Sequence, residues 1–464
     1  MYKRQPDAKQ LRICYIGGGS RGWAWKFMGD LAMDPDMCGE IRLYDIDRAA
    51  AERNRVIGEK ISSHPNAVSR WEYTVSGSLR EGLEGADFVV ISILPATFEE
   101  MRADVHMPER LGIWQPVGDT VGAGGFMRAM RTIPMFVEIA EAIRDYAPEA
   151  WVINYTNPMS LCVRTLYEVF PGIKAFGCCH EVFGTQELLC SMLETEAGIP
   201  GVKRQDLYTT VTGINHFTFL TGASYKQMDL MPMYDAFVRK YAEEGYDPKG
   251  TRSWEESTFS CAHLVKMDLY RRFGAIAAAG DRHLAEFTAP WYTRDPETVK
   301  KWKFALTTVD WRIEDLHARL KKSDDLISGR EEVELKPSGE EGHWLLKALL
   351  GIHDLVSNVN VPNRGQIQGL PLGAVVETNA LFTRDRIEPI CAGRMPSGLL
   401  PLIARHVYNQ ENTLKTALTC DRELGLATFM NDPQLAVATP QDAKALFNDM
   451  LEAQRAYLPE KWFD

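Results

Sequence analysis

A cysteine next to a histidine, Cys179 and His180, follows an apolar segment and forms the clearest pair of metal-binding side chains in the sequence. A second imidazole, His216, follows another apolar segment within Gly-Ile-Asn-His. A thiolate and an imidazole are ligands that a divalent transition metal accepts, and such a site can leave a position open for a substrate oxygen. Taken alone, each residue is more typical of a buried thiol or an ordinary core histidine. The metal site predicted at Cys179 and His216 therefore depends on other motifs.

A glycine-rich turn near the N-terminus is the first element that would position this pair. Residues 11–16 are apolar and lead into Gly-Gly-Gly-Ser-Arg-Gly, after which helical periodicity begins. Strand, G-x-G-x-x-G turn and helix are the order of a dinucleotide phosphate site. An acidic residue after the next apolar segment binds the ribose hydroxyls of NAD and repels the 2′-phosphate of NADP. The pattern predicts NAD bound by Gly17, Gly18, Gly19, Ser20, Gly22 and Asp45.

Two further apolar segments, residues 86–94 and 151–158, are typical of parallel strands that are buried on both faces. Ligands bind at the carboxyl ends of such strands, which makes Asn157 a substrate-binding candidate. The alternative is a turn asparagine that bonds to its own backbone. The alternation of strands and helices predicts an α/β fold, with an N-terminal Rossmann domain and a mixed α+β C-terminal domain.

A glycine-rich loop at residues 117–125 and a helix predicted over 126–146 lie between these two segments. The helix carries Arg128 and Arg131, whose spacing could present one cationic face. A solvated helix face is the alternative.

Length and composition limit the possible function classes. The 464 residues exceed one ordinary core, and we predict two domains, at residues 1–200 and 201–464. The net charge of -11 argues against nucleic acid and against a membrane surface as partners, although a local cationic pocket can still bind an anionic small molecule. Nine cysteines and the lack of a long apolar run predict a reducing, cytoplasmic location.

Together, these motifs resemble glycoside hydrolase family 4, the NAD- and metal-dependent glycosidases. The likeness extends over nearly the whole chain and rests on residues 15–20, 117–125, 131–134, 157–158, 179–180, 213–216 and 360–363. It implies NAD and Mn²⁺, or another divalent metal, in an architecture similar to lactate and malate dehydrogenases. It also implies that Cys179 and His216 bind the metal and that Asn157 binds substrate, with Asp119 as a further substrate-binding candidate. A homo-oligomer, either a dimer or a tetramer, is expected.

The order Cys-His-Glu-Val at residues 179–182 is similar to the subgroup that acts on α-galacturonides, the sugars of pectin fragments. The resemblance implies oxidation at sugar C3 by NAD, removal of the C2 proton, elimination of the leaving group, addition of water and re-reduction. An α-galactoside or an α-glucuronide is the alternative substrate within the family. Outside the family, the alternative is an NAD-dependent sugar-acid dehydrogenase.

Three roles in this reaction need further side chains. His180 is the candidate general acid, since an imidazolium donates a proton near neutral pH. Family members that cleave phosphorylated sugars have Asp or Asn at this position and a tyrosine base in the segment that aligns with residues 281–287, where this chain has no tyrosine. Asp281 and His283 are the candidate bases. A guanidinium binds a carboxylate through two parallel hydrogen bonds, and the candidates for this role are Arg128, Arg131 and Arg282.

Overall fold

The computed structural model describes residues 6–248, 250 and 252–463, which form two β-sheets. The nine-stranded sheet has the order β13-β12-β11-β6-β5-β4-β1-β2-β3, and the four-stranded sheet has the order β10-β8-β7 with β9 paired to β8. The strands are β1 Leu11–Ile16, β2 Gly39–Tyr44, β3 Trp71–Val75, β4 Phe88–Ile91, β5 Trp151–Asn154, β6 Lys174–Gly177, β7 Leu207–Ile214, β8 Phe217–Tyr225, β9 Met228–Asp229, β10 Ile276–Ala277, β11 Leu355–Pro362, β12 Val375–Thr383 and β13 Arg386–Pro389.

Helices cover both faces of the large sheet and build most of the second half of the described chain. They are α1 Trp23–Ala32, α2 Arg48–Ser62, α3 Leu79–Leu83, α4 Phe98–His106, α5 Gly122–Tyr146, α6 Met159–Val169, α7 Glu181–Ala197, α8 Met231–Tyr241, α9 Ser253–Glu256, α10 Leu264–Phe273, α11 Asp281–Leu284, α12 Pro296–Lys301, α13 Val309–Ser328, α14 Gly342–Leu350, α15 Leu400–Thr419, α16 Arg422–Met430 and α17 Pro440–Ala453. Short 3₁₀ turns occur at Met107–Leu111, Arg204–Asp206, Ala285–Phe287, Pro433–Val437, Arg455–Tyr457 and Glu460–Trp462. Within the described part of the chain, no helix has both the length and the apolar character needed to cross a membrane.

The six strands β1 to β6 are parallel and form the predicted Rossmann unit. In β1, Ile16 lies between Tyr44 of β2 and Ile91 of β4, so the loops after these three strands meet at one edge. Strands β4 and β5 are shorter than the apolar segments that predicted them. The residues that follow them, 92–94 and 155–158, form loops at this carboxyl edge, where ligands of open α/β sheets bind.

The second half of the chain contributes three strands to the same sheet. Strand β11 pairs antiparallel with β12 along its whole length and meets β6 where Asn360 pairs with Gly177. The β7–β8 hairpin belongs to the smaller sheet and contacts β12, because the Val211 N–H donates to Asn379 Oδ1 at 2.8 Å. The α/β class, with a Rossmann unit followed by a mixed second half, is confirmed. The boundary at residue 200 stays a prediction.

Helix α5 begins inside the glycine-rich loop and continues through Pro134. A side chain at Gly124 would place its Cβ 2.6 Å from the Asp104 carbonyl oxygen of α4, so only glycine allows this close approach. The approach places Asp119 and Thr120, which precede the helix, next to the carboxyl edge of the sheet.

Candidate active site

One cavity of about 1380 Å³ joins the glycine turn, the carboxyl edge of the parallel strands and the β7–β8 hairpin tip. Twelve of the predicted site residues line it, namely Gly17, Gly19, Ser20, Gly22, Asp45, Asp119, Arg128, Asn157, His180, His216, Arg282 and His283. Four do not, namely Gly18, Arg131, Cys179 and Asp281. The structure therefore brings together candidates that are up to about 270 positions apart in the chain, as the folding of an open α/β sheet requires.

The glycine turn and Asp45 occupy one end of the cavity and are bonded to each other. The Gly19 N–H donates to Asp45 Oδ2 at 2.8 Å. Gly17 has φ +92°, and a Cβ there would overlap the Ser92 carbonyl oxygen. Burial raises the pKa of Asp45, although the N–H groups of Asp47 and Gly19 lower it. Helix α1 has no side chain capping its first turn, so its N–H groups are available to a phosphate.

Two residues outside the predicted fingerprint hold this turn. The Asn54 side chain donates to the carbonyl oxygens of Gly18 at 2.7 Å and Ser20 at 2.9 Å. A Cβ at Gly22 would lie 2.4 Å from Nη1 of Arg319 on α13. The second half of the chain therefore packs against the glycine turn at position 22.

His216 lies at the tip of the β7–β8 hairpin, where its backbone has φ +65°. Its Nδ1 is 2.9 Å from the Thr120 hydroxyl, and that hydroxyl donates to Asp119 Oδ1 at 2.7 Å. Because the hydroxyl has only one hydrogen, it must accept a bond from Nδ1–H of His216. This tautomer leaves the Nε2 lone pair of His216 available to a metal.

Asp119, His216 and His283 form a group that we name the cavity triad. One possible ligand atom from each lies within 4.8 Å of the others, and the two imidazole rings are 3.9 Å apart between centroids. Burial lowers the pKa of His216 and lowers that of His283 to about 3, so both rings are neutral at pH 7. Burial alone would raise the pKa of Asp119, but His216 and the Arg128 guanidinium hold it below its usual range. The triad thus offers one carboxylate and two neutral imidazoles, a donor set that suits a divalent cation.

Glu181, which the sequence prediction missed, connects the two candidate acid–base histidines. Its Oε2 accepts from the Gly280 N–H at 2.7 Å. Its Oε1 lies 3.6 Å from His283 Nε2 and 4.0 Å from His180 Nε2. Burial alone would raise the pKa of Glu181, but His283 and His180 bring it below its usual range. A carboxylate in this position orients an imidazole and stabilises its charged form.

Asn157 and Arg128 form the floor of the cavity next to the cavity triad. Asn157 Nδ2 donates to Asp119 Oδ2 at 3.3 Å, and Arg128 Nε donates to the Asn157 carbonyl oxygen at 3.1 Å. Asn157 Oδ1 is buried and has no hydrogen-bond partner among the described residues. That oxygen is free to accept from a ligand hydroxyl.

Cys179 is buried beside Asn215, the neighbour of His216, and does not reach the cavity wall. Asn358 Nδ2 donates to the Cys179 carbonyl oxygen at 3.1 Å. Burial raises the pKa of the thiol well above its ordinary value, so in this state the sulfur carries a proton. Of the two predicted metal ligands, only His216 is already in the cavity.

Asp281 and Arg131 have structural roles, which corrects two predictions. Asp281 accepts from the N–H groups of Val265 and Lys266, each at 3.1 Å, and so caps the start of α10. Arg131 is fully buried and binds both carboxylate oxygens of Asp104, at 3.1 and 2.5 Å. Neither is placed to touch a ligand in the cavity.

A second group, which we name the capping triad, consists of Cys261, His263 and Asp281, again with possible ligand atoms within 4.8 Å. Burial raises the pKa of Asp281 to about 6, with Lys266 lowering it. The Lys266 ammonium is buried and donates to Thr185 Oγ1 and to the carbonyl oxygens of Ala277 and Ala279 at 2.6 to 2.8 Å. A fixed positive charge therefore lies next to this triad.

The chain is similar to known proteins over most of its length. The family model "Family 4 glycosyl hydrolase" matches residues 12–195, and its "C-terminal domain" model matches residues 211–435. An alpha-galacturonidase of Lachnoclostridium phytofermentans is 55% identical over 455 residues, which are 97% of this chain and 97% of that protein. The crystal structure of a Bacillus subtilis protein described as a glucosidase has 51% identity and a TM-score of 0.91, covering 96% of this chain and 100% of that one.

A more distant solved structure has the same fold. It is the 6-phospho-beta glucosidase of Thermotoga maritima with manganese, NAD⁺ and glucose-6-phosphate, at 19% identity and a TM-score of 0.77, covering 97% of this chain and 99% of that one.

Proposed function

Because the chain belongs to family 4 of the glycosyl hydrolases, we propose that it hydrolyses α-galacturonides with NAD and a divalent metal, such as Mn²⁺, as cofactors. The 55% identical relative is an alpha-galacturonidase. The observation that carries the proposal is that the glycine turn and the cavity triad line one cavity. A nucleotide and a metal bound there would meet over the same sugar.

The glycine turn fits NAD. The uncapped start of α1 supplies N–H donors for the pyrophosphate, and Asp45 lies where a ribose hydroxyl donates. A Cβ at Gly17 would overlap the Ser92 carbonyl oxygen, and a Cβ at Gly19 would lie 2.6 Å from the Ala50 Cβ, so the turn packs tightly against the strands and helix behind it.

The cavity triad fits a divalent metal. His216 has a free Nε2 and Asp119 is ionised, so these two residues of the triad would hold the metal. The Nδ1 atom of His283 is buried without a hydrogen-bond partner among the described residues and would stay free for proton transfer. Cys179 would bind the metal together with His216, since the thiol lies beside Asn215, the neighbour of His216. Binding would require the thiol to lose its proton to solvent or to a neighbouring base.

When bound, NAD would supply reversible hydride transfer at sugar C3 and the metal would polarise the sugar oxygens. The residues of the chain would move the protons. His283 would take the C2 proton at Nδ1, while the Glu181 carboxylate 3.6 Å from Nε2 would stabilise the imidazolium that forms. His180, which is partly exposed at the cavity wall, would give a proton to the leaving oxygen. Asn157 Oδ1 would accept from a substrate hydroxyl.

Hydrolysis of an aryl α-galacturonide in D₂O tests the proposal. Removal of the C2 proton predicts carbon-bound deuterium at C2 of the product and none at C3, which proton NMR measures. Absorbance should record no net NADH during sugar release. Full retention of the C2 proton would contradict the elimination route, and accumulation of NADH would favour a sugar-acid dehydrogenase.

Three broader expectations remain part of the proposal. They are a nucleotide-binding domain that ends near residue 200, a cytoplasmic location and a homo-oligomer. The sequence patterns described above support the first two, and the family resemblance supports the third.

A further inference from the structure

Three arginines line the cavity with no carboxylate within ion-pair distance among the described residues. Arg128 is on α5, Arg282 is on α11 and Arg312 is on α13, and all three line the cavity. Among the described residues, none of their guanidinium groups forms an ion pair, and the hydrogen bonds they make go to neutral oxygens. Partly buried cations are normally paired directly, so three guanidinium groups that feel carboxylates only at longer range indicate a place for a further anion.

Arg282 and Arg312 are held side by side by one residue, Thr307. Arg282 Nη1 donates to the Thr307 hydroxyl at 2.9 Å, and Arg312 Nε donates to the Thr307 carbonyl oxygen at 3.2 Å. Arg312 Nη2 also donates to the Val117 carbonyl oxygen at 2.7 Å. The Arg282 guanidinium lies 4.5 Å from the centre of the Phe259 ring. These contacts fix both groups and leave further N–H donors of each without a partner among the described residues.

The carboxyl groups nearest to these arginines do not balance their charge. Asp119 is ionised and interacts with Arg128 and Arg312, and the ionised Glu181 interacts with Arg282, so two carboxylates face three guanidinium groups. Glu286 accepts from the N–H groups of Val117 and Gly118 at 2.7 and 2.8 Å, and burial raises its pKa to about 8, so it is mostly neutral at pH 7. Burial lowers the pKa of Arg312 to about 10; Asp119 raises it, and Arg128 and Arg282 lower it further, so Arg312 remains cationic at pH 7.

We propose that Arg282 and Arg312 form a clamp for the C6 carboxylate of the galacturonosyl ring. Two fixed guanidinium groups can each bind a carboxylate through charge-assisted hydrogen bonds. Arg128 has a different role, since its Nε is bonded to the backbone of Asn157 below the cavity triad. The clamp rests on the proposed function and explains how an acidic sugar is distinguished from a neutral one.

The pyrophosphate of NAD is the other anion that the cavity could hold, and the geometry argues against it as the partner of Arg312. Arg319, on the same helix, covers Gly22 at the glycine turn and donates to the Arg21 carbonyl oxygen at 3.0 Å. Arg312 is two helical turns earlier, about 10 Å along the axis. Arg319 therefore lies at the end of the cavity that would hold the phosphates, and Arg312 lies toward the end that would hold the sugar.

The test compares Arg282→Gln and Arg312→Gln with the wild-type holoenzyme. We expect each variant to lower kcat/KM on 4-nitrophenyl α-galacturonide about 10- to 100-fold while kcat/KM on 4-nitrophenyl α-galactoside stays the same or rises. NAD affinity, measured by tryptophan fluorescence, should stay unchanged. Arg110→Gln is the matched control, because Arg110 makes an exposed ion pair with Asp449 at 2.6 Å.

Three results would overturn the clamp. They are an unchanged preference for the uronide in both variants, equal losses on both sugars, and a loss of NAD affinity. If the wild-type enzyme cleaves no galacturonide, the proposed function fails by itself. The clamp is then judged by calorimetry with free galacturonate and galactose. Wild-type binding of galacturonate that is at least about 10-fold tighter than in either variant supports it, and equal binding rejects it.

Discussion

The cavity triad and the capping triad are two groups of similar composition and spacing, with different chemistry available to them. In each, possible ligand atoms lie within 4.8 Å of one another. In the cavity triad, the Thr120 hydroxyl leaves His216 Nε2 free, and His283 Nδ1 has no partner among the described residues. In the capping triad, both oxygens of Asp281 accept backbone N–H groups at the start of α10.

A short distance between possible ligand atoms does not by itself make a metal site. A ligand atom must also have a free lone pair, and the surrounding charge must favour a cation. The buried Lys266 ammonium lowers the pKa of Asp281 and would repel a metal from the capping triad. At the cavity triad, the carboxylate of Asp119 faces two neutral rings.

Removing a ligand of the cavity triad should have the largest effect. We expect His216→Ala to lower kcat/KM on an α-galacturonide about 1000-fold or more and to abolish tight Mn²⁺ binding, because loss of the ion removes several kcal/mol of transition-state stabilisation. Calorimetry with Mn²⁺ and steady-state kinetics measure both effects. His263→Ala, in the capping triad, is the control and should keep its Mn²⁺ affinity. If the two variants weaken Mn²⁺ binding equally, the cavity triad is not the preferred metal site.

Removing the carboxylate of the capping triad should instead reduce stability. Asp281→Ala leaves the Val265 and Lys266 N–H groups without an acceptor and the Lys266 ammonium without its nearby carboxylate. We expect the free energy of unfolding to fall by about 3 kcal/mol, and Asp281→Asn to lose less because it keeps one acceptor oxygen. Urea denaturation measures the change. Normal stability together with lost Mn²⁺ binding would identify the capping triad as the metal site instead.

Replacing Cys179 decides whether the metal site extends beyond the cavity triad. With Co²⁺ in place of Mn²⁺, a thiolate ligand gives a sulfur-to-metal charge-transfer band in the near ultraviolet. We expect this band in the wild type and expect Cys179→Ser to lose it, with Co²⁺ affinity about 10- to 100-fold weaker. Cys261→Ser should keep the band. If the wild-type spectrum lacks the charge-transfer band, the metal ligands are limited to the cavity triad.

Glu286 supports the cavity triad by holding Val117 and Gly118, and its replacement should give the smallest effect. Burial raises its pKa from 4.5 to about 8, so the folded protein keeps a proton that the unfolded chain releases. This contribution is fully present below pH 4.5 and is lost as the pH rises through about 8, with a slope of at most about 1.4 kcal/mol per pH unit.

Glu286→Gln keeps an acceptor oxygen for the two N–H groups and has no proton to lose. The Tm of this variant relative to wild type should therefore increase between about pH 6 and pH 8.5. Calorimetric melting curves at several pH values measure it. A Tm difference that is independent of pH would mean that Glu286 is already ionised in the folded protein.

The sequence predicted those parts of the site in which local pattern and position coincide. Strand β1, the glycine turn and Asp45 follow one another along 35 residues, so a short-range motif describes them. Arg312 and Glu181 have no such motif. Arg312 reaches the cavity from α13. Glu181 can be recognised as a site residue only after Gly280 and His283 have folded next to its carboxylate.

Arg128 and Arg131 illustrate why the remaining positions could not be predicted. Their spacing on α5 is compatible with one cationic face, but the helix is buried along most of its length. Arg128 points to the cavity floor and Arg131 points to Asp104 on α4. The neighbour of each side chain, rather than its helical position, decides its role, and that neighbour is known only after the chain has folded.

The return of β11 to the large sheet has a consequence for the order in which the protein folds during synthesis. Strand β6 ends at Gly177, and its partner β11 begins at Leu355. At about 5–20 residues per second, the ribosome needs roughly 10 to 35 seconds to make the intervening chain. During that interval the nascent Rossmann unit exposes an unpaired strand edge, the kind of surface that promotes aggregation. We expect this nascent chain to depend on chaperones until the last three strands of the sheet leave the exit tunnel.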